Sequence, residues 1–259
     1  MRDTSDRRRI ISELVKEKGS VQVIGLSERF GVSTQTIRKD LLYLSERGVV
    51  TRSYGGAIST DVVGNQKELA VETKRMLHPT TKDRIGAHAA KLVSSGEAII
   101  LDSGTTTASI ARHLPDDESL TVVSNDYGVM SELINKQNIN SVMLGGALRR
   151  HNMAFYGALT EAALERLAVD TLFLGVDGLD MERGITTHHE SEAMLNRRMI
   201  SIARRVIAVT DSSKVAHVCL HKIIGLSEIE TLVIDTGAPE ELIRGAQDLG
   251  VNIELVDIS

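Results

Sequence analysis

Residues 102 to 107, Asp-Ser-Gly-Thr-Thr-Thr, bring one carboxylate, four hydroxyls and a glycine together where two sequence patterns meet. The apolar run Ala98 to Leu101 precedes them and reads as a strand, and residues 105 to 113 read as a helix. A strand running straight into a helix turns the amides of residues 104 to 107 outward at the positive end of the helix dipole, which favours an anion there. Gly104 lets the backbone come close to a ligand. The segment lacks the Gly-x-x-x-x-Gly-Lys spacing of a nucleotide loop, so its chemistry suits a single phosphate monoester. Asp102, Ser103, Gly104, Thr105, Thr106 and Thr107 are the candidate binding residues. The alternative is that Ser103 or Thr105 only caps its helix.

A second constellation lies at residues 33 to 44, Ser-Thr-Gln-Thr-Ile-Arg-Lys-Asp-Leu-Leu-Tyr-Leu. Ile37, Leu41 and Leu44 share one helical face, and Gln35 and Lys39 lie opposite, flanked by Thr36 and Arg38. Ser33 is placed to cap the helix. Amide, hydroxyl and cationic groups on one helix face suit base edges and phosphates in a DNA major groove. Ser33, Thr34, Gln35, Thr36, Arg38 and Lys39 are the candidate contacts.

The surrounding elements must hold these residues in place. Ile10, Ile11, Leu14 and Val15 mark a first helix ended by Gly19. Val23, Leu26 and Phe30 mark a second, closed by Gly31, and Gly31-Val32-Ser33 is the turn into the third. After Gly48, Val49 to Ala57 is a β-branched run reaching Gly55-Gly56, the pattern of a hairpin wing, with Arg52 and Tyr54 placed for backbone contact. This predicts a winged helix-turn-helix over residues 1–57; a three-helix protein-interaction module is the other reading. Residues 1–57 hold 11 Lys and Arg against 7 Asp and Glu, a net of +4, and the rest of the −5 chain carries −9. A basic head on an acidic body localises nucleic-acid affinity to the head. Arg7, Arg8 and Arg9 either touch phosphates or form a solvated run.

Beyond a linker at 58–80, containing Gly64, Pro79 and a short helix near 67–76, residues 81–259 alternate. Apolar runs at 98–101, 120–123, 142–144, 172–176, 206–209, 232–234 and 253–256 are separated by helical stretches near 105–113, 127–136, 159–167, 190–204 and 239–248. That order predicts an α/β domain on a largely parallel sheet covered on both faces. Ligands of such sheets sit at the carboxyl ends of strands. Asn125, Gly145, Gly146, Arg149, Asp177 and Lys214 follow strands and join the candidate effector site, with Lys214 as a counter-ion for phosphate. A tight turn accounts equally for the Gly pair, and of Arg149 and Arg150 one grips phosphate and one faces solvent. His188 and Glu190 are read as hydrogen-bonding partners of sugar hydroxyls or as helix caps. Adjacent imidazoles at 188 and 189 do not face one side of a helix, so no metal is expected, and no cofactor is implied.

Length and composition bound these readings. The chain has 259 residues, 42% of them hydrophobic and 3% aromatic, with no Trp, so Ile, Leu, Val and Ala must build the core. The single cysteine, Cys219, excludes an intramolecular disulfide and fits a reducing cytosol. No apolar run approaches the roughly 20 residues of a membrane span, and a cytoplasmic protein is expected.

The motif VSTQTIRKDL at 32–41, followed by RSYGGA at 52–57, resembles the DeoR family of bacterial sugar-metabolism repressors. LDSGTTT at 101–107, GGALRR at 145–150, FLGVDGLD at 173–180 and TDSSK at 210–214 are similar to that family's effector domain, so the resemblance spans nearly the whole chain. FYG at 155–157, ERGITTH at 182–188, EAMLNRRM at 192–199 and LHKII at 220–224 resemble its N-acetylgalactosamine and related amino-sugar subgroup. The resemblance implies an effector domain like ribose-phosphate isomerase, a ligand-linked Lys214, operator DNA as partner and a phosphorylated amino-sugar or galactose-type effector. A symmetric dimer or tetramer would read a repeated operator. The competing function is a sugar-phosphate isomerase with an accessory DNA-binding head, using Asp102, Asp177 and Glu190 as acids and bases. Turnover would destroy a repressor's own signal, which favours binding without chemistry.

Overall fold

The computed structural model describes residues 4–18, 20–53, 56–59, 68–117 and 119–258. The chain divides into two compact units, Met1–Pro79 and Thr80–Ser259. In the first, α1 (Thr4–Lys18), α2 (Val23–Phe30) and α3 (Thr34–Glu46) surround a core that includes Ile11, Val15, Leu26, Ile37, Leu41 and Leu44. The expected apolar face of α3 is the buried one. Ser33 caps α3 as its side chain accepts the Thr36 amide at 3.2 Å. The wing strands β2 (Val50–Ser53) and β3 (Gly56–Ser59) pair antiparallel, and β3 also pairs with β1 (Ser20–Gln22), a three-residue strand too short to carry a period. Gly56 allows this third strand in, because a Cβ there would lie 2.0 Å from the Val21 carbonyl oxygen. Tyr54 and Gly19 lie outside the described residues.

The expected helix near 67–76 is α4 (Val71–Met76), and α5 (Pro79–Ala90) begins at Pro79, inside the segment read as linker. Proline suits a first helical position because its missing N–H would have had no helical partner.

The second unit is built on a seven-stranded, wholly parallel sheet. Its strands are β4 (Ala98–Leu101), β5 (Thr121–Ser124), β6 (Asn140–Met143), β9 (Val169–Gly175), β12 (Ala203–Val209), β14 (Thr231–Asp235) and β15 (Asn252–Val256). They lie in the order β15-β14-β12-β9-β4-β5-β6. Side chains alternate between faces along each strand. Ile100, Leu172, Leu174, Val206 and Ala208 enter one core; Ile99, Leu101, Phe173, Ile207 and Val209 enter the other. Burial on both faces is why these strands read as continuous apolar runs. Between them lie α6 (Thr105–His113), α7 (Tyr127–Leu133), α8 (Ala158–Leu164), α9 (Glu190–Ile202) and α10 (Glu240–Asp248).

From β4 the chain first builds outward through β5 and β6. It then returns to the other side of β4 with β9 and continues through β12, β14 and β15. The crevice between β4 and β9 is therefore the topological switch point, where open α/β sheets take their ligands. Two small sheets are absent from the sequence expectation. One is the hairpin β7 (Ala147–Arg149) with β8 (Ala154–Tyr156), and the other joins β10 (Gly178–Asp180), β11 (Gly184–Thr187) and β13 (His221–Ile224). They grow from the loops after β6, β9 and β12.

Leu41 is 1% exposed in the core of the first unit. Replacing it with Ala should cost that unit about 2 to 5 kcal/mol. Hydrogen exchange should accelerate across α1 to α3 and stay unchanged in β4 and β9.

Candidate functional site

Asp102 follows β4, and its amide donates to the Phe173 carbonyl of β9 at 3.1 Å, so the chain is tied to the neighbouring strand where the crevice opens. The Asp102 side chain is 1% exposed. Burial pushes its carboxyl up to about 7, and the nearby Asp126 and Asp177 charges push the same way; backbone hydrogen bonds from Ser103 and Gly175 oppose. Asn196 of α9 donates from Nδ2 to Asp102 Oδ2 at 3.3 Å, while Oδ1 is buried without a partner.

Gly104 is the N-cap of α6 at φ 151° and has no side chain to cap with. The first carbonyl of the helix, Gly104 O, accepts from Ala108 N at 3.0 Å and from Thr107 Oγ1 at 2.9 Å. The amides of Thr105, Thr106 and Thr107 come before that first helical bond, so they are the donors a helix start leaves for an outside acceptor. Ser103 and Thr105 do not cap α6. Ser103 Oγ instead meets the Tyr156 hydroxyl at 3.0 Å, and Asn152 Nδ2 donates to the same hydroxyl at 2.5 Å. Tyr156 is buried, which holds its phenol well above the usual range.

The other strand-end residues divide. Asn125 is fully buried, and its Nδ2 donates to Phe155 O at 2.9 Å, so its amide nitrogen holds β8; its Oδ1 is left without a partner. Gly145 and Gly146 carry the chain from β6 into β7, with a bend at Gly146 (φ 147°). Thr160 Oγ1 donates to Gly145 O at 2.7 Å, and a Cβ on Gly146 would lie 2.2 Å from Thr160 Oγ1. Arg149 is half-buried on β7 and Arg150 is exposed beyond it. Asp177, after β9, accepts from Thr187 Oγ1 at 3.2 Å. His188 places Nε2 at 3.5 Å from Cys219 Sγ.

Glu190 stands exposed in the first turn of α9, whereas Glu192 and Asn196 are buried. His189, not Glu190, caps that helix, its Nδ1 accepting the Ser191 amide at 3.3 Å. Lys214 is half-exposed on the 3-10 turn Ser212–Lys214 after β12, and among the described residues its ammonium makes no ion pair. Asp235 fixes that turn, accepting from the Ser212 amide at 2.6 Å and its hydroxyl at 2.8 Å. Among the described residues no three His, Cys, Asp or Glu side chains converge as a metal site would require.

The sequence reading missed Asn152, Tyr156, Glu192 and Asn196. Only α9 carried a signal: Glu192 and Asn196 are polar residues four apart on the same face as Leu195 and Met199, the buried face. An ion-paired cleft of about 320 Å³ opens at the other, amino-terminal edge of the sheet, lined by Glu97, Asp170, Arg204, Arg205 and Glu230. Its charges neutralise one another, with Arg205 bonded to Glu97 at 3.3 Å and Arg204 to Asp170 at 3.3 Å. It has neither the helix start nor the orphaned acceptors of the switch point.

On the first unit, Ser33, Thr34, Gln35, Arg38 and Lys39 are exposed and Thr36 is half-buried, its hydroxyl 2.9 Å from Ser33 Oγ. Among the described residues neither Arg38 nor Lys39 is ion-paired. Arg52 lies on β2 and Tyr54 outside the described residues. The basic run of α1 is not simply solvated, since each of its arginines has a carboxylate partner. Arg7 and Arg8 both bond Asp40 of α3, and Arg9 pairs with Asp6 and Glu13 on its own helix.

A helix-turn-helix head joined to a parallel-sheet unit with a polar switch point has the form of a ligand-sensing transcriptional regulator. The profile of the DeoR-like helix-turn-helix domain matches residues 7–63, and that of the DeoR C-terminal sensor domain matches residues 77–236. A candidate aga operon transcriptional repressor of Escherichia coli O157:H7 is 42% identical over 253 residues, covering 98% of this chain and 94% of that protein. An L-fucose operon activator of Haemophilus influenzae is 32% identical over 238 residues, covering 91% and 94%. Ribose 5-phosphate isomerase A of Methanocaldococcus jannaschii superimposes with a TM-score of 0.40 at 17% identity, over 53% of this chain and 55% of that one. The chain belongs to the DeoR family. It is a DeoR-type, DNA-binding transcriptional regulator and not an enzyme.

The raised Asp102 carboxyl has a consequence for stability. The folded protein holds this proton up to about pH 7, whereas the unfolded chain releases it near 4. Between those values the unfolded state binds fewer protons, so stability falls as pH rises, then levels above 7. Urea unfolding of the ligand-free protein at pH 5 and pH 8 should show this loss. Asp102→Asn should flatten it and be the more stable protein at pH 8.

Proposed function

We propose that the protein is a transcriptional repressor of a carbohydrate-utilisation operon, released from its operator by a phosphorylated sugar of amino-sugar or galactose type. The observation that carries this reading is the two-ended character of the loop Asp102–Thr107. Its helix end offers the amides of Thr105, Thr106 and Thr107 to an anion. Its strand end gathers acceptors without donors: Asp102 Oδ1, Asn125 Oδ1, Asn152 Oδ1 and Asn196 Oδ1. A ligand satisfying both carries a phosphate at one end and several hydroxyl or amine donors at the other, as a sugar phosphate does. The carboxylates of Asp126 and Asp177, which also raise the Asp102 carboxyl, would repel a phosphate on the strand side, which fixes the orientation. Lys214, which like Asp102 follows a strand of the sheet at its carboxyl end, is the cation assigned to the phosphate.

The assigned effector contacts are Asp102, Ser103, Gly104, Thr105, Thr106, Thr107, Asn125, Gly145, Gly146, Arg149, Asp177, His188 and Lys214, joined by Asn152, Tyr156, Glu192 and Asn196. Glu190 contributes from the rim. We assign residues 1–57 to the DNA-binding head, 58–80 to the linker and 81–259 to the effector domain. The head reads double-stranded operator DNA with Ser33, Thr34, Gln35, Thr36, Arg38 and Lys39, and the wing adds Arg52 and Tyr54. A homodimer or homotetramer supplies two heads to a repeated operator. The aga operon repressor among the relatives supports a sugar operon as the target. Membership of a DNA-binding regulator family supports action in the cytoplasm; among the described residues no helix is long and apolar enough to cross a membrane.

Gln35→Ala should alter base preference, whereas Lys39→Ala should weaken binding to every sequence and lower the salt slope by about one. Operator binding across a salt series distinguishes them, and parental behaviour of both would remove α3 as the reader.

Thr106→Asp and Lys214→Glu should bind operator normally yet ignore the sugar phosphate. A carboxylate among the helix-start amides displaces the phosphate, and reversing Lys214 removes its counter-charge. Fluorescence anisotropy of labelled operator during titration with galactosamine 6-phosphate, tagatose phosphates and galactitol phosphate measures release. Release of the Thr106→Asp protein at parental ligand concentrations, or equal potency of the dephosphorylated sugars, would contradict the site.

A further inference from the structure

Asp40 of α3 is 1% exposed and accepts from two arginines of α1, Arg7 Nε at 2.6 Å and Arg8 Nε at 2.7 Å. One carboxylate thus faces two guanidiniums, and a positive charge is left over. Arg8 also lies over the Tyr43 ring, 3.8 Å from its centroid, and Arg47 lies 3.7 Å from the same centroid. Two guanidiniums this close to one ring centre cannot share a face, so Tyr43 is sandwiched between them. Arg47 is exposed, and among the described residues no carboxylate faces it.

Helix dipoles explain only half of this arrangement. Arg47, at the carboxyl end of α3, is where a cation is favoured, but Arg7 and Arg8 sit near the amino end of α1, where it is not. Asp40 is shared by Arg7 and Arg8, and Arg47 on the other face of the ring has no carboxylate among the described residues, so the group as a whole carries excess positive charge that external anions would offset. Ring stacking holds each guanidinium plane while its outer N–H groups stay available, the geometry that suits arginine to phosphate. Tyr43 falls seven residues after Thr36 and four after Lys39, so it continues the stripe of α3 that carries those two reading-face residues toward the helix end.

We propose that Arg8 and Arg47, stacked on the two faces of Tyr43, form a second DNA contact of the head that grips backbone phosphates and reads no bases. Asp40 is the positioning residue of this contact: it touches no DNA, and it holds Arg8 against the ring. The occupant is the phosphodiester backbone, because the head is the basic part of the chain and binds DNA by its family.

The test uses the full-length protein with two duplexes, one selected by this protein from a random pool and one of random sequence. Arg47→Gln should weaken binding to both by the same factor and lower each salt slope by about one, at unchanged melting temperature. Arg47→Lys should restore the slope, since it keeps the charge. Tyr43→Leu, which leaves both arginines without their platform, should weaken both duplexes without changing their ratio. A parental salt slope for Arg47→Gln on both duplexes would overturn the proposal. So would a loss confined to the selected duplex, which would make Arg47 a base reader. Unchanged DNA binding with an altered response to sugar phosphates would also overturn it, and would point to the acidic second unit as the partner of these cations.

Discussion

Asp102 sits where a carboxylate is costly. It is buried at the crevice between β4 and β9, beside Asp126 and Asp177, with one oxygen unmet. Burying polar groups without partners works against folding. The fold accepts that cost at one place, the point where the sheet order reverses, and surrounds it with further unmet acceptors on Asn125, Asn152 and Asn196. The rest of the second unit serves this spot. The seven strands and their two apolar faces fix the ends of β4 and β9. The β7–β8 hairpin delivers Asn152 and Tyr156, and α9 delivers Glu192 and Asn196. A ligand that brings donors to these acceptors and an anion to the start of α6 removes the penalty, so its binding and the stability of the site are coupled.

That coupling is what a regulator needs. A ligand shifts an equilibrium only through different affinities for the two states, and the influence runs both ways between ligand and DNA. An under-satisfied site is a good source of such a difference, because a state in which a ligand meets more of these acceptors gains more from binding it. The amino-terminal cleft around Arg205 is the contrast. Its charges are already paired with one another, leaving a ligand little to gain there. In the head, by comparison, Arg38 and Lys39 remain unpaired among the described residues while Asp40 is fully engaged, which separates the exposed cations of α3 from the carboxylate that ties α3 to α1.

The elements with a strong period or a chemical boundary were legible in the sequence. The stripe Ile37, Leu41, Leu44 and the cap Ser33 define α3, and the apolar run and hydroxyl cluster at 98–107 define β4 and the start of α6. The small sheets were not legible, because strands of three or four residues such as β7, β10 and β11 show no period and owe their existence to tertiary pairing. The polar interior was only partly legible. Strand-end logic finds Asp102, Asn125 and Asp177, since each directly follows an apolar run. It cannot find Asn152 and Tyr156, which reach the site from a hairpin, and it selects Glu190 at the visible helix start where Glu192, two residues on, is the buried carboxylate. Likewise the basic run Arg7 to Arg9 gives no sign in the sequence that Arg7 and Arg8 share Asp40, because that contact joins residues more than 30 apart.

Everything proposed for the second unit depends on the effector entering at the switch point between β4 and β9. Hydrogen exchange on the full-length protein, with and without a saturating hexose phosphate that raises its melting temperature, tests this most directly. Binding at the switch point should bring new protection to the segments spanning 102–107, 149–156 and 190–196, with the amino-edge segments around Glu97 and Arg205 unchanged. Protection appearing around Arg205 and Glu230, with residues 102–107 exchanging as in the free protein, would contradict it.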